Sequence, residues 1–153
     1  MNMNTTNPCA NSPYPFTGIM ANKVGMKILL VEDSALLREI ITETLSTSPL
    51  LTVKAFAATQ EKAIELLKDA QFDMILVDIE LAEGNGFEVI KYTQTLGYPF
   101  KQPIVVMFTN HANPYYRNMA KSLNIQYFFD KSMDFDLAID TIESEAEEFN
   151  THH

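Results

Sequence analysis

Residues 72–86, which read FDMILVDIELAEGNG, decide the fold of this chain. The four apolar residues from Met74 to Val77 are too few for a helix, and a loop rich in glycine and acid follows them. This pattern predicts a central strand that is buried on both faces. Asp78 ends the strand, where its carboxylate either faces a ligand in the crevice beyond the strand ends or caps the following turn. The stretch alone leaves both interpretations open.

Length and composition limit the class of protein. A chain of 153 residues with 46% hydrophobic and 20% charged residues is typical of a single soluble globular domain. Its formal net charge of −9 repels nucleic acid and anionic membranes, so we expect neither as a partner. The single cysteine, Cys9, excludes an intramolecular disulfide and a cysteine metal cluster. Neither a membrane-spanning run nor a secretion signal is present, so we expect a cytoplasmic protein.

The chain divides into three predicted segments. Residues 1–25 are rich in Asn and Pro and uncharged before Lys23, which predicts a flexible leader. Residues 26–149 form the domain, and residues 150–153 are a tail. Within the domain, hydrophobic patterns predict strands over 27–31, 51–57, 74–77, 104–108 and 126–129. Helices are predicted over about 35–47, 59–70, 86–96, 114–123 and 134–149.

Local signals mark several helix ends. Ser34 and Asn113 are predicted N-caps, and Asn124 falls where a left-handed residue ends a helix. Gly97 is predicted to end the third helix in the same way. The first helix carries one apolar stripe. Its members are Leu36, Leu37, Ile40, Ile41, Thr44 and Leu45.

Alternating strands and helices require parallel pairing through right-handed crossovers. We therefore predict an α/β fold: a doubly wound three-layer sandwich around a five-stranded parallel sheet, in the flavodoxin-like order 2-1-3-4-5. In that order the carboxyl ends of four strands converge on one crevice. They carry Glu32 and Asp33, Asp78, Thr109, and Lys131.

Four motifs follow these strands in order. They are ILLVEDS from residue 28, ILVD from residue 75 with Gly86 eight residues after its aspartate, VVMFT from residue 105, and YFFDK from residue 127. Each alone is common in α/β proteins, but together, one per expected strand, they are specific. Over about residues 26–149 the chain resembles the receiver domain of two-component response regulators, of the stand-alone type.

The resemblance implies that Asp78 accepts a phosphoryl group from a sensor histidine kinase or a histidine phosphotransfer protein. It also implies Mg²⁺ bound by Asp33, Asp78 and the backbone carbonyl of Glu80, with Glu32 acting through water. Electrostatics supports the metal independently, because two unit charges 4 Å apart repel by about 4 kcal/mol at an effective dielectric of 20. Mg²⁺ prefers a few carboxylates together with waters and phosphate oxygens.

Further roles come from the same resemblance. Lys131 is expected to pair with one phosphoryl oxygen and the Thr109 hydroxyl to bond another. Thr109 and Phe128 would form the switch, in which the aromatic ring turns inward after phosphorylation. Each residue also has an ordinary structural interpretation: a solvated lysine, a β-forming threonine and a core aromatic.

The chain departs from the family pattern around the acceptor. Ala82 stands where a proline is usual four residues after it, Ser132 replaces the proline usual after the lysine, and Asn110 replaces a small residue. Glu80 and His111 lie two residues after Asp78 and Thr109, positions that flank the path of attacking water in this family. We hypothesise that these side chains set the lifetime of the phosphorylated state.

Three other classes of protein share parts of this pattern. A degenerate receiver would bind partners without phosphorylation, although the acceptor constellation is intact. A flavin or nucleotide module needs a glycine-rich loop after the first strand, where residues 32–35 read EDSA. A phosphatase of the aspartyl-phosphate type needs an Asp where Glu80 stands.

We therefore expect no enzymatic activity beyond self-phosphorylation and autodephosphorylation. Because few residues follow the last helix, the expected output is contact with a downstream protein through helix four, strand five and helix five. The pattern leaves open whether the chain forms a homodimer.

Overall fold

The computed structural model describes residues 25–152, in which five strands alternate with five helices. The strands are β1 Met26–Val31, β2 Leu51–Ala57, β3 Met74–Val77, β4 Ile104–Thr109 and β5 Tyr127–Asp130. The helices are α1 Ala35–Leu45, α2 Gln60–Asp69, α3 Gly86–Thr93, α4 Pro114–Ser122 and α5 Phe135–His152. Apart from Gly25, the predicted leader lies outside the described residues, and the division into leader, domain and tail stays a prediction.

All strands pair in parallel in the order β2-β1-β3-β4-β5, which confirms the predicted topology. Every residue of β3 is buried, as the run from Met74 to Val77 predicted. Val31, Val77 and Met107 are in register across the three central strands. The residues that follow these strands therefore leave the sheet along one edge, where the site is built.

The sheet separates two apolar layers because successive side chains of a strand point to opposite faces. Strand residues on the first face pack with α2, α3 and α4; they include Leu29, Val31, Ile75, Val77, Val105 and Met107. Strand residues on the second face pack with α1 and α5; they include Ile28, Leu30, Met74, Leu76, Val106 and Phe108. Continuous apolar strands and helices on both faces are what a doubly wound sandwich requires.

The predicted helix caps are present. Side-chain oxygens of Ser34 and Asn113 accept from backbone N–H groups at the starts of α1 and α4, and Asn124 has a φ of 59° after α4. The prediction for α3 was wrong at its end, since the helix stops at Thr93 rather than near residue 96. The N–H groups of Gln94 and Thr95 bond to carbonyls three residues back, which tightens the chain into turns before Gly97 is reached.

Two further helix predictions differ from the structure. In α1, Ile41 and Leu45 are buried, but Leu36 and Ile40 are 67% and 41% exposed. The apolar stripe is therefore wider than the face that packs on the sheet. α5 continues to His152, because the Asn150 side chain bonds to carbonyls in its own helix and before β2. Within residues 25–152, none of the helices is long and apolar enough to cross a membrane.

Candidate functional site

Three carboxylates meet at the carboxyl edge of the sheet. Glu32 and Asp33 follow β1 and Asp78 follows β3, and one carboxylate oxygen from each lies within 4.8 Å of the others. Glu32 and Asp78 are 3% and 5% exposed, whereas Asp33 is exposed to solvent. Oxygen donors that are partly buried and open to water on one side suit a hard divalent cation such as Mg²⁺. These carboxylates therefore fit the Mg²⁺ ion that the resemblance to receiver domains implied.

Lys131 supplies a cation to this cluster from the end of β5. Its ammonium lies 2.8 Å from Glu32 Oε1 and 2.7 Å from Asp78 Oδ2, and its side chain is 13% exposed. The Lys131 backbone N–H also donates to the Thr109 carbonyl at 3.0 Å, which holds the start of the loop that follows β5 against the end of β4. One lysine is thus shared by two buried carboxylates.

Burial and charge shift the pKa values of this pair in the same direction for different reasons. Desolvation raises the pKa of the Glu32 carboxyl, and the hydrogen bonds from Lys131 and the Ser34 N–H offset only part of that rise. For Lys131, desolvation acts against the ammonium, but hydrogen bonds to Asp78 and Glu32 and their charges outweigh it and raise its pKa. Lys131 is therefore stabilised as a cation, whereas burial disfavours the charged form of Glu32.

The two proposed switch residues occupy different surroundings. Thr109 is fully buried at the end of β4, and its Oγ1 accepts from the His111 N–H at 3.1 Å. A hydroxyl both accepts and donates, so it keeps a donor for a second partner. Phe128 is half-buried on β5 against the first apolar layer, and the Arg117 guanidinium lies 4.8 Å from its ring centroid. Their roles in switching stay predictions.

Comparison with known proteins decides the family. A family model described as the response regulator receiver domain matches residues 28–143. The chain belongs to this family. The matched span of the receiver domain contains the whole cluster of Glu32, Asp33, Asp78 and Lys131.

Curated relatives share this domain over part of their length. A protein-glutamate methylesterase/protein-glutamine glutaminase from Treponema pallidum is 28% identical over 88 residues, which are 58% of this chain and 21% of that protein. A relative of the same description from Nitrosospira multiformis is 35% identical over 82 residues, which are 54% of this chain and 22% of that protein. The matched residues span about a fifth of the length of these relatives and correspond to their receiver portion. The match therefore does not show their enzymatic activity for this chain.

Solved structures show the same fold. The crystal structure of the response regulator domain of Thermotoga maritima CheB has a TM-score of 0.68 and 20% sequence identity. The match covers 84% of this chain and 98% of that domain. At this identity the likeness establishes the architecture of the receiver domain, and its chemistry has to be argued from the site.

A close backbone approach ties the loop after β3 to Asp78. A Cβ on Gly86 would lie 2.1 Å from the Asp78 carbonyl oxygen, so only glycine fits there without moving the Asp78 backbone. The Gly86 N–H donates to the Ile79 carbonyl at 2.8 Å, and Asn85 caps α3 by accepting from the Glu88 N–H. Steric exclusion of a side chain therefore explains why a glycine stands eight residues after Asp78.

A hydrogen bond between side chains links two loops at the rim of the receiver site. His111 Nε2 lies 2.7 Å from Glu80 Oε1, with side chains that are 43% and 73% exposed. Both residues were singled out in the sequence, but their pairing could not be predicted, because 31 positions separate them. The Glu80 N–H also lies 3.4 Å from Asp78 Oδ1. The expected metal role of the Glu80 carbonyl stays a prediction.

Proposed function

We propose that this receiver domain accepts a phosphoryl group on the Asp78 carboxylate from a histidine kinase or phosphotransfer protein, and signals by phosphorylation-dependent protein contact. The observation that carries the proposal is the approach of the Lys131 ammonium to 2.7 Å from Asp78 Oδ2, within the cluster that Glu32 and Asp33 complete. A buried carboxylate with a cation and a hard-metal donor set beside it has what an aspartyl nucleophile needs.

Each residue has a defined part in the transfer. An Asp78 oxygen forms the bond to phosphorus while the bond from phosphorus to the donor imidazole nitrogen breaks, and the imidazole keeps that electron pair and takes up a proton. Asp33, Asp78 and the Glu80 carbonyl would hold Mg²⁺, with Glu32 acting through water. That ion would supply positive charge against the phosphoryl oxygens. Lys131 pairs with one phosphoryl oxygen once Asp78 is modified.

The signal begins with added charge. A phosphoryl group adds about −1.5 to −2 charges, which attracts the Thr109 hydroxyl. Its movement makes room for Phe128 to turn inward from its place under Arg117. The surface formed by α4, β5 and α5 then changes its shape, and a downstream protein binds to this surface. Tyr115 and Leu137 expose apolar area on it. Leu36 and Ile40, in the first turns of α1 next to Asp33, offer apolar surface to the phosphodonor.

Acetyl phosphate, a small phosphodonor, tests the function without knowledge of the kinase. With Mg²⁺ present we expect the intact protein to gain the mass of one phosphoryl group, and EDTA to prevent the gain. Hydroxylamine should remove the group, since it cleaves acyl phosphates. A folded protein that stays unlabelled under these conditions would instead be a degenerate receiver, which binds partners without phosphorylation. The stand-alone organisation, any homodimer and the cytoplasmic location stay predictions.

The Glu80–His111 pair is expected to prolong the phosphorylated state, because it spans the two loops that border the path of water. After removal of acetyl phosphate, Glu80→Ala and His111→Ala should each lose the phosphoryl group about fivefold faster, the effect of about one exposed hydrogen bond. The double variant should be no faster than either single variant, since each substitution already breaks the pair. Additive effects of the two substitutions would show that the residues act separately. Lys121→Ala, at an exposed position on α4, is the control and should lose the phosphoryl group at the wild-type rate.

A further inference from the structure

The loop between β3 and α3 carries the Glu80 carbonyl, and the loop's own hydrogen bonds close only part of it. The Gly86 N–H bonds to the Ile79 carbonyl at 2.8 Å, and Glu80 and Asn85 form an isolated antiparallel bridge. These contacts close the base of the loop. Its tip, residues 82–84, lies beyond them and is held from a different part of the chain.

The turn from β2 into α2 makes three hydrogen bonds to this loop. The Ala82 N–H donates to the Ala58 carbonyl at 3.1 Å, and the Gln60 N–H donates to the Glu83 carbonyl at 2.9 Å. The Gln60 side chain adds the third bond, in which Oε1 accepts from the Asn85 N–H at 3.1 Å. We call residues 58–60 the clasp. It engages the loop tip and the N-cap of α3 at the same time.

Gly84 is shaped to fit under the clasp. Its φ of +78° lies in the left-handed region that favours glycine. A Cβ there would lie 2.2 Å from Gln60 Oε1 and 2.4 Å from Gln60 Cβ, so the glutamine side chain lies directly over the glycine. The loop conformation and the position of Gln60 are therefore mutually dependent.

Ala82 supplies one of the three bonds of the clasp. In the family pattern a proline is usual here, and its fixed φ would stiffen the loop by itself. Proline has no N–H, so it could not make the bond that Ala82 makes to the Ala58 carbonyl. In this chain the bond from the Ala82 N–H to the Ala58 carbonyl therefore holds the loop at the position where a proline could not form it.

We propose that Gln60 is a positioning residue for the metal-binding loop: its side-chain bond to Asn85 fixes the loop that presents the Glu80 carbonyl to the cation shared with Asp33 and Asp78. This inference rests on the proposed function. Gln60 reaches the cation only through the loop. Its bond to the Glu83 carbonyl is made by the backbone N–H, which alanine and glutamate also have, so the side-chain bond can be tested alone.

The test measures metal binding and loop dynamics in the full chain. Free Mn²⁺ is counted by electron paramagnetic resonance, and hydrogen exchange of the Asn85 amide is followed by NMR. In Gln60→Ala we expect Mn²⁺ binding to weaken about threefold to tenfold, the effect of one hydrogen bond, and Asn85 exchange to accelerate. Gln60→Glu should stay close to wild type, because a carboxylate oxygen also accepts from the Asn85 N–H. Glu61→Ala, an exposed neighbour on α2, is the matched control and should change neither quantity.

The outcomes separate this inference from the proposed function. Mn²⁺ binding in Gln60→Ala equal to that of wild type would overturn the inference alone, as would an equal loss in Gln60→Glu, which would indicate a general defect. If wild type bound no Mn²⁺ and acetyl phosphate left it unlabelled, the proposed function would fail and the inference with it. Weaker binding in Gln60→Ala, with rescue by Gln60→Glu and an unchanged melting temperature, supports it.

Discussion

Asp78→Asn is expected to abolish phosphorylation by acetyl phosphate. Asparagine keeps the shape of the side chain and an oxygen that can accept from Lys131, but the amide oxygen is neutral and cannot form a stable acyl phosphate. The measurement is the mass of the intact protein after incubation with acetyl phosphate and Mg²⁺. We expect full loss of the added mass. The same change removes one of three carboxylates, so divalent cation binding should weaken too.

The matched control for this substitution is Asp140→Asn, which neutralises an exposed carboxylate on α5. It should be labelled like wild type, because Asp140 lies outside the cluster of Glu32, Asp33 and Asp78. A phosphoryl group still found on Asp78→Asn would place the acceptor elsewhere. Peptide mapping would then identify it, with Asp33 the first residue to examine because its carboxylate is exposed in the same crevice.

The sequence predicted the sheet and the cluster because both follow from local patterns. The run from Met74 to Val77 predicted a buried strand, and β3 is buried throughout. Once the strands are parallel and in register, their carboxyl ends share one edge, so Glu32, Asp78 and Lys131 have to meet. Topology thus brings together residues that are 53 positions apart, as Asp78 and Lys131 are.

Side-chain pairs that depend on reach rather than on periodicity were not predictable. The bond from Asn85 to Gln60 joins residues 25 positions apart and leaves no mark in the hydrophobic pattern. The Glu80–His111 pair joins two loops whose relative position only the folded sheet defines. The end of α5 was mispredicted for a related reason. The Asn150 side chain near this end bonds to the Leu50 carbonyl, which is 100 positions away in the sequence. A left-handed Asn124, by contrast, is a local choice and was predictable.

Lys131→Met is expected to destabilise the domain by about 3–5 kcal/mol at pH 7, the range for removing one partner from a buried ion pair. Methionine keeps much of the side-chain volume but leaves the buried carboxylates of Glu32 and Asp78 without the ammonium that contacts both. Denaturant unfolding measures the free energy. Lys121→Met, at an exposed position on α4, is the control and should stay within about 0.5 kcal/mol of wild type.

The dependence of this loss on pH identifies its cause. The folded-state pKa of Glu32 is raised above its ordinary 4.5 by burial, so its charge opposes folding at neutral pH and the opposition disappears below that value. Lys131 lowers the pKa of Glu32, so in Lys131→Met that pKa rises further and the deficit should shrink as the pH falls towards 4.5. Adding Glu32→Gln to Lys131→Met should restore part of the stability at pH 7 and flatten this pH dependence. A deficit that is the same at pH 7 and pH 5, and unchanged by Glu32→Gln, would mean that Lys131 stabilises the domain through packing rather than through charge.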